Sequence, residues 1–161
     1  MIEVQVEDAG WRAVLPDAEK LAGAAAEASL AATSDVGAGD VVILLTNDAE
    51  VQGLNRQFRG KDAPTNVLSF PAGPNPHGHL GDVALALGVC AAEARAQAKT
   101  LADHLQHLVA HGVLHLVGYD HQDEAEAEAM EALERDILAG LGVADPYAER
   151  PEAPPIEAGR G

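Results

Sequence analysis

Ile2, Val4 and Val6 alternate with Glu3, Gln5 and Glu7, the two-residue period of a half-buried strand. Pro16, Asp17 and Glu19 then open a helix that Leu21, Ala24, Ala25, Ala28 and Leu30 carry to about residue 32. Residues 41–46 form an unbroken apolar run rich in β-branched side chains, the pattern of a central strand. Asn47 or Asp48 caps a helix to about Phe58 with Val51, Leu54 and Phe58 on its apolar side. Residues 60–66 read as a loop, and 67–70 as a short strand stopped by Pro71. The Pro- and Gly-rich stretch 71–79 predicts irregular structure, which leaves His77 and His79 as loop residues without a ligand role. A second apolar strand follows over 83–87, and Gly81 ahead of it signals a bulge or a close backbone approach.

An alanine-rich helix over 89–99 leads to Thr100 and Asp103, which resemble a capping box opening the next helix. That helix is apolar on most sides and carries a stripe of histidines. The last helix, 123–138, predicts Met130, Leu133, Ile137 and Leu138 facing inward and its glutamates facing solvent. Residues 144–161 contain four prolines and no periodicity, which predicts a disordered acidic tail after a single domain at 1–143. Strands interspersed with helices make the expected fold class α+β, a small mixed sheet packed with helices around a central, buried histidine helix.

Composition narrows the function. The chain has 161 residues and a formal net charge of −16, half of it carried by residues 122–161. Such an excess opposes nonspecific binding to polyanions, since phosphate contacts draw on Lys and Arg. The exception is the window 51–81, where Arg56, Arg59 and Lys61 stand against Asp62 alone. A local basic patch on an acidic body suits one engagement with nucleic acid, with a protein partner supplying further affinity. The single cysteine, Cys90, and the absence of a secretory pattern at the start predict a cytoplasmic protein with an inert thiol. No apolar run reaches membrane-spanning length.

Candidate chemistry concentrates in residues 104–121, which hold His104, His107, His111, His115 and His121. At about 100° per residue the first four fall within an arc of roughly 80°. His111 and His115, at i and i+4, can present two imidazoles to one ion. Gly118 is placed to end the helix in a left-handed conformation and turn His121 back as a third ligand. Three protein ligands leave a fourth position for water, the pattern of a catalytic zinc site. His104 and His107 are expected to line the cleft or support a ligand. The spacing is also that of the metzincin protease signature, but Gly112 stands where that signature has its glutamate base, which disfavours peptide hydrolysis.

Three stretches together resemble the bacterial YbeY family of metal-dependent endoribonucleases: residues 54–71 (LNRQFRGKDAPTNVLSFP), 80–83 (LGDV) and 107–121 (HLVAHGVLHLVGYDH). The resemblance spans roughly residues 45–121. It implies one zinc ion held by His111, His115 and His121, with Arg59 as a functionally important residue. It also implies a single-strand-specific endoribonuclease acting in ribosomal RNA maturation at the small-subunit 3′ end and in ribosome quality control. The partners it implies are a ribosomal RNA precursor and the small subunit or a protein associated with it. Elementary chemistry agrees, because zinc polarises a phosphoryl oxygen and a guanidinium fork matches a phosphate. His107, Asp120, Lys61, Asn66 and Asp82 are candidates to support the ligands or touch substrate. The attacking group is open between water and the neighbouring 2′-hydroxyl. Two other readings remain: a zinc hydrolase of a non-RNA substrate, and a non-catalytic ribosome-assembly factor whose zinc is structural.

Overall fold

The computed structural model describes residues 2–33, 39–73, 78–120 and 123–147. Among them, four strands, β1 (Ile2–Val6), β2 (Asp40–Thr46), β3 (Val67–Pro71) and β4 (His79–Ala86), form one sheet in the order β1-β2-β4-β3. β1 and β4 each run parallel to β2, whereas β3 pairs antiparallel with β4 along one edge. The helices are α1 (Gly10–Val14), α2 (Ala18–Ala32), α3 (Asp48–Arg59), α4 (Leu87–Ala96), α5 (Leu101–Leu116) and α6 (Glu124–Gly140). The expected α+β class with a small mixed sheet is therefore what the chain adopts.

The two faces of the sheet pack against different helices. Val41, Ile43, Leu45, Val83 and Leu85 pack with α2 and α5 in the main core, joined by Trp11 and Cys90. Ala84, Ala86, Leu68 and Phe70 turn to the other face and meet Val51 and Leu54 of α3. The α5 helix is buried along most of its length, and its neighbours include α2, α4, α6, β3 and β4. The caps follow the sequence. Asn47 accepts from the Glu50 amide, Thr100 from the Asp103 amide, and Asp123 from the Glu126 amide.

Gly81 behaves as expected. The β2–β4 register shifts between Asp40 and Val41, and Gly81 sits at φ 150°; a Cβ there would lie 2.4 Å from the Phe70 carbonyl oxygen. Elsewhere the expectations change. His79 is the first residue of β4, not a loop residue, and its Nε2 lies 2.9 Å from Asp82 Oδ1. His77 lies outside the described residues. The short helix α1 carried no periodic signal in five residues, yet it buries Trp11, whose indole N–H donates to the Thr46 carbonyl at 2.8 Å. Cys90 is buried, and burial followed by the charge of Glu93 pushes its thiol up, away from reactivity.

Gly112 fits tightly where α5 crosses the sheet. A Cβ on it would lie 2.7 Å from Val83 Cγ1 and 3.1 Å from Ser69 Oγ, and that hydroxyl donates to the Gly112 carbonyl at 3.0 Å. The space in which a metzincin glutamate would begin is thus filled by β3 and β4. Gly112→Glu is expected to destabilise the fold by about 2–3 kcal/mol or more through overpacking, read as a lowered urea midpoint. An unchanged midpoint would mean that α5 can lift off the sheet freely.

Candidate active site

The α5 helix ends in a Schellman motif: the Gly118 amide donates to the His115 carbonyl, the Tyr119 amide donates to that of Leu114, and Gly118 takes φ 109°. This stop carries Tyr119 and Asp120 back over the C-terminal end of the helix. The result is a cleft of about 500 Å³ walled by His111 and His115 from α5 and by Gly118, Tyr119 and Asp120 beyond it. Val67, Ser69 and Pro71, on alternate positions of edge strand β3, form the opposite wall together with Asn66. Arg59 completes the lining. It comes from the last turn of α3, which packs on the other face of the sheet.

Within the cleft His111 Nε2 and His115 Nε2 lie 3.1 Å apart, and His111 Nδ1 lies 2.8 Å from Glu134 Oε2. An ionised carboxylate only accepts, so a neutral His111 donates from Nδ1 and its Nε2 carries the lone pair, to which His115 Nε2–H donates. This donor set fits a transition ion. Two imidazole nitrogens bound at about 2.0–2.1 Å to one tetrahedral zinc stand about 3.3 Å apart, close to the separation seen. His121, the expected third ligand, lies outside the described residues. Among the described residues no group of three or more His, Cys, Asp or Glu side chains is assembled to hold an ion.

The other candidates separate. Asp120 and Asn66 line the cleft. Asn66 also donates from Nδ2 to Glu93 Oε1 at 2.9 Å, and the same carboxylate oxygen accepts from His104 Nε2 at 2.9 Å. His104 is buried and serves this link between α4 and α5. Asp82 lies beside His79, on the sheet face away from α5, and Lys61 is exposed in the loop after α3; neither is among the residues that wall the cleft. His107 points away from the cleft. Its Nε2 donates to Glu134 Oε1 at 3.0 Å, and it borders a second hollow with Lys99, Asp103 and Pro146. Burial lowers its pKa and outweighs the carboxylate beside it.

Two residues of the cluster escaped the sequence reading. Glu134 was expected on the solvated side of α6, but it is wholly buried. Besides the two histidines it accepts from Tyr147 Oη at 2.5 Å, a residue of the stretch whose prolines and lack of periodicity predict a disordered tail. Burial alone would push the Glu134 carboxyl up; the hydrogen bonds from His107, His111 and Tyr147 reverse this and leave it at about 2. The Tyr147 hydroxyl is pushed up by burial and by Glu134. A signal was present, because Met130, Glu134, Ile137, Leu138 and Leu141 are spaced as one helical stripe, with the carboxylate in its middle. Residues 148–161 lie outside the described residues.

Comparison with known proteins gives the chain a family. Residues 5–142 match the family model described as endoribonuclease YbeY. The chain is 57% identical over 153 residues to the endoribonuclease YbeY of Azorhizobium caulinodans, covering 91% of this chain and 96% of that protein. It is 52% identical over 158 residues to the endoribonuclease YbeY of Paramagnetospirillum magneticum, covering 92% and 96%. A solution structure from Thermotoga maritima shares the fold at a TM-score of 0.53 and 25% identity, covering 92% of this chain and all of that one.

Proposed function

The chain belongs to the endoribonuclease YbeY family, and from that premise we propose that it cuts single-stranded RNA at the cleft between α5 and β3, with one zinc ion held by His111, His115 and His121. As a member of that family it is an endoribonuclease, a hydrolase whose substrate is RNA. The observation that carries the finer reading is the convergence of His111 Nε2 and His115 Nε2 at 3.1 Å in a cleft that also receives Arg59.

When bound, the ion supplies a Lewis acid that polarises a phosphoryl oxygen and acidifies water near neutral pH. The protein's own groups do the rest. Arg59, exposed at the rim and anchored by α3, offers a planar fork of donors that holds the phosphate and meets the charge that grows on it. Gly112 and the β3 wall close the helix side of the site, so no carboxylate follows the first ligand, and the reaction proceeds without the base that a metzincin uses. Asp120 lies on the cleft wall, where a carboxylate can take up a proton or orient a ligand.

The acidic body favours a substrate delivered on a larger assembly over free RNA captured by charge alone. This supports a role in maturation of the small-subunit ribosomal RNA 3′ end and in ribosome quality control, with the small subunit or an associated protein as partner, in the cytoplasm. Among the described residues no helix is long and apolar enough to cross a membrane.

The test is cleavage of a small-subunit ribosomal RNA precursor before and after chelation. Stripping the metal is expected to remove on the order of 10³-fold or more of the rate, and stoichiometric zinc to restore it. Cleavage that survives chelation unchanged would refute the metal-dependent reading. Wild-type protein that holds zinc but leaves RNA intact would favour the assembly-factor reading.

A further inference from the structure

Among the described residues Glu134 is the only carboxylate in the fully buried set, and it lies one helix away from the candidate ligands. Burying an ionised carboxylate is costly unless its lone pairs are met by donors. Here three donors meet it: His111 Nδ1 on Oε2, and His107 Nε2 and Tyr147 Oη on Oε1. His107 and His111 come from α5, Glu134 from α6, and Tyr147 from the turn after α6. The arrangement holds His111 from the side opposite its neighbour His115.

We propose that Glu134 is the positioning residue of the metal centre: by accepting from His111 Nδ1 it fixes the tautomer that presents Nε2 beside His115 Nε2, while His107 and Tyr147 anchor the carboxylate. The inference rests on the metal-site reading above and goes beyond it by assigning roles on α6 and the segment after it. A neutral imidazole carries its proton on either nitrogen, and without a fixed acceptor on Nδ1 the ligating nitrogen is protonated for part of the time. A carboxylate on the far nitrogen also raises the basicity of the ligating one. Tyr147 Oη and His107 Nε2 share Oε1, which leaves Oε2 for His111 and sets the plane of the carboxylate. The unpartnered, buried Nδ1 of His107 is consistent with this, since the ring then has its only proton on Nε2, facing Glu134.

The decisive variant is Glu134→Gln, which keeps the volume but turns one acceptor oxygen into a donor facing donors. Zinc affinity is measured by competition with a chromophoric chelator on the full chain, beside His115→Ala, with circular dichroism to check folding. In parallel, two-bond proton–nitrogen spectra of the metal-free wild type at mildly alkaline pH report which nitrogen of His111 carries the proton. A merely structural carboxylate would not set that tautomer. The expected results are a 10–100-fold weaker zinc affinity for Glu134→Gln, a wild-type His111 protonated on Nδ1, and loss of that preference in the variant. Wild-type affinity in folded Glu134→Gln, or a wild-type His111 protonated on Nε2, overturns the inference. If Glu134→Gln does not fold, the wild-type tautomer still decides. Wild-type affinity in His115→Ala would instead remove the metal-site premise, an outcome that is separate from failure of Glu134 alone.

Discussion

His115→Ala is expected to abolish metal binding and lower RNA cleavage on the order of 10³-fold or more, with the fold intact. The magnitude follows from the several kcal/mol that a Lewis acid contributes to stabilising charge at phosphorus, at about 1.36 kcal/mol per decade of rate. His115 is half-buried in the last turn of α5, and its Nε2 faces His111 Nε2 at 3.1 Å. Alanine keeps the helix and removes one of the two converging nitrogens. His111 would retain its bond to Glu134, so α5 and α6 stay joined. The check is zinc content after dialysis together with cleavage of the precursor RNA. A variant that keeps stoichiometric zinc and wild-type cleavage would place the ion elsewhere.

Arg59→Ala is expected to cost about 10²–10³-fold in cleavage, the range found when one preorganised charge donor is removed from a transition state. Bound zinc should be unchanged. The two variants therefore separate two jobs in one cleft, since one loses metal and rate together and the other loses rate alone. Arg59 lines the cleft from the end of α3 without lying on α5 at all. Arg59→Lys is expected to recover only part of the rate, because an ammonium keeps the charge but not the planar fork. Single-turnover kinetics at saturating RNA assign the loss to the chemical step. A loss confined to RNA affinity would make Arg59 a docking residue.

Gly112 bears on the protease-like reading as well. Its carbonyl accepts from Ser69 and a Cβ on it would meet Val83 at 2.7 Å, so the helix approaches the sheet at the position where a glutamate base would be needed. The helix spacing is shared with metzincins. It does not bring the protease's base with it.

The sequence by itself determined what depends on neighbours along the chain. The i, i+4 spacing put His111 and His115 on one face, Thr100 and Asn47 capped their helices, and Gly118 ended α5 in the motif that its lack of a Cβ permits. Period-two alternation marked β1 and apolar runs marked β2 and β4, and the residue pattern carried the family resemblance. Tertiary structure alone decided what depends on groups brought from afar. Arg59 lines the same cleft as His111 and His115, from a helix on the other side of a sheet whose edge strand is β3. His107 lies on the same stripe as His111 and His115, yet it turns to α6 because a buried acceptor waits there. Glu134 reads as solvent-facing by its residue type, and it is inside because three donors, from positions 13 to 27 residues away, satisfy it together. Periodicity along α6 places Glu134 on the apolar stripe with Met130 and Ile137, but the donors that let an ionised carboxylate stay there come from α5 and from Tyr147, and only the fold delivers them.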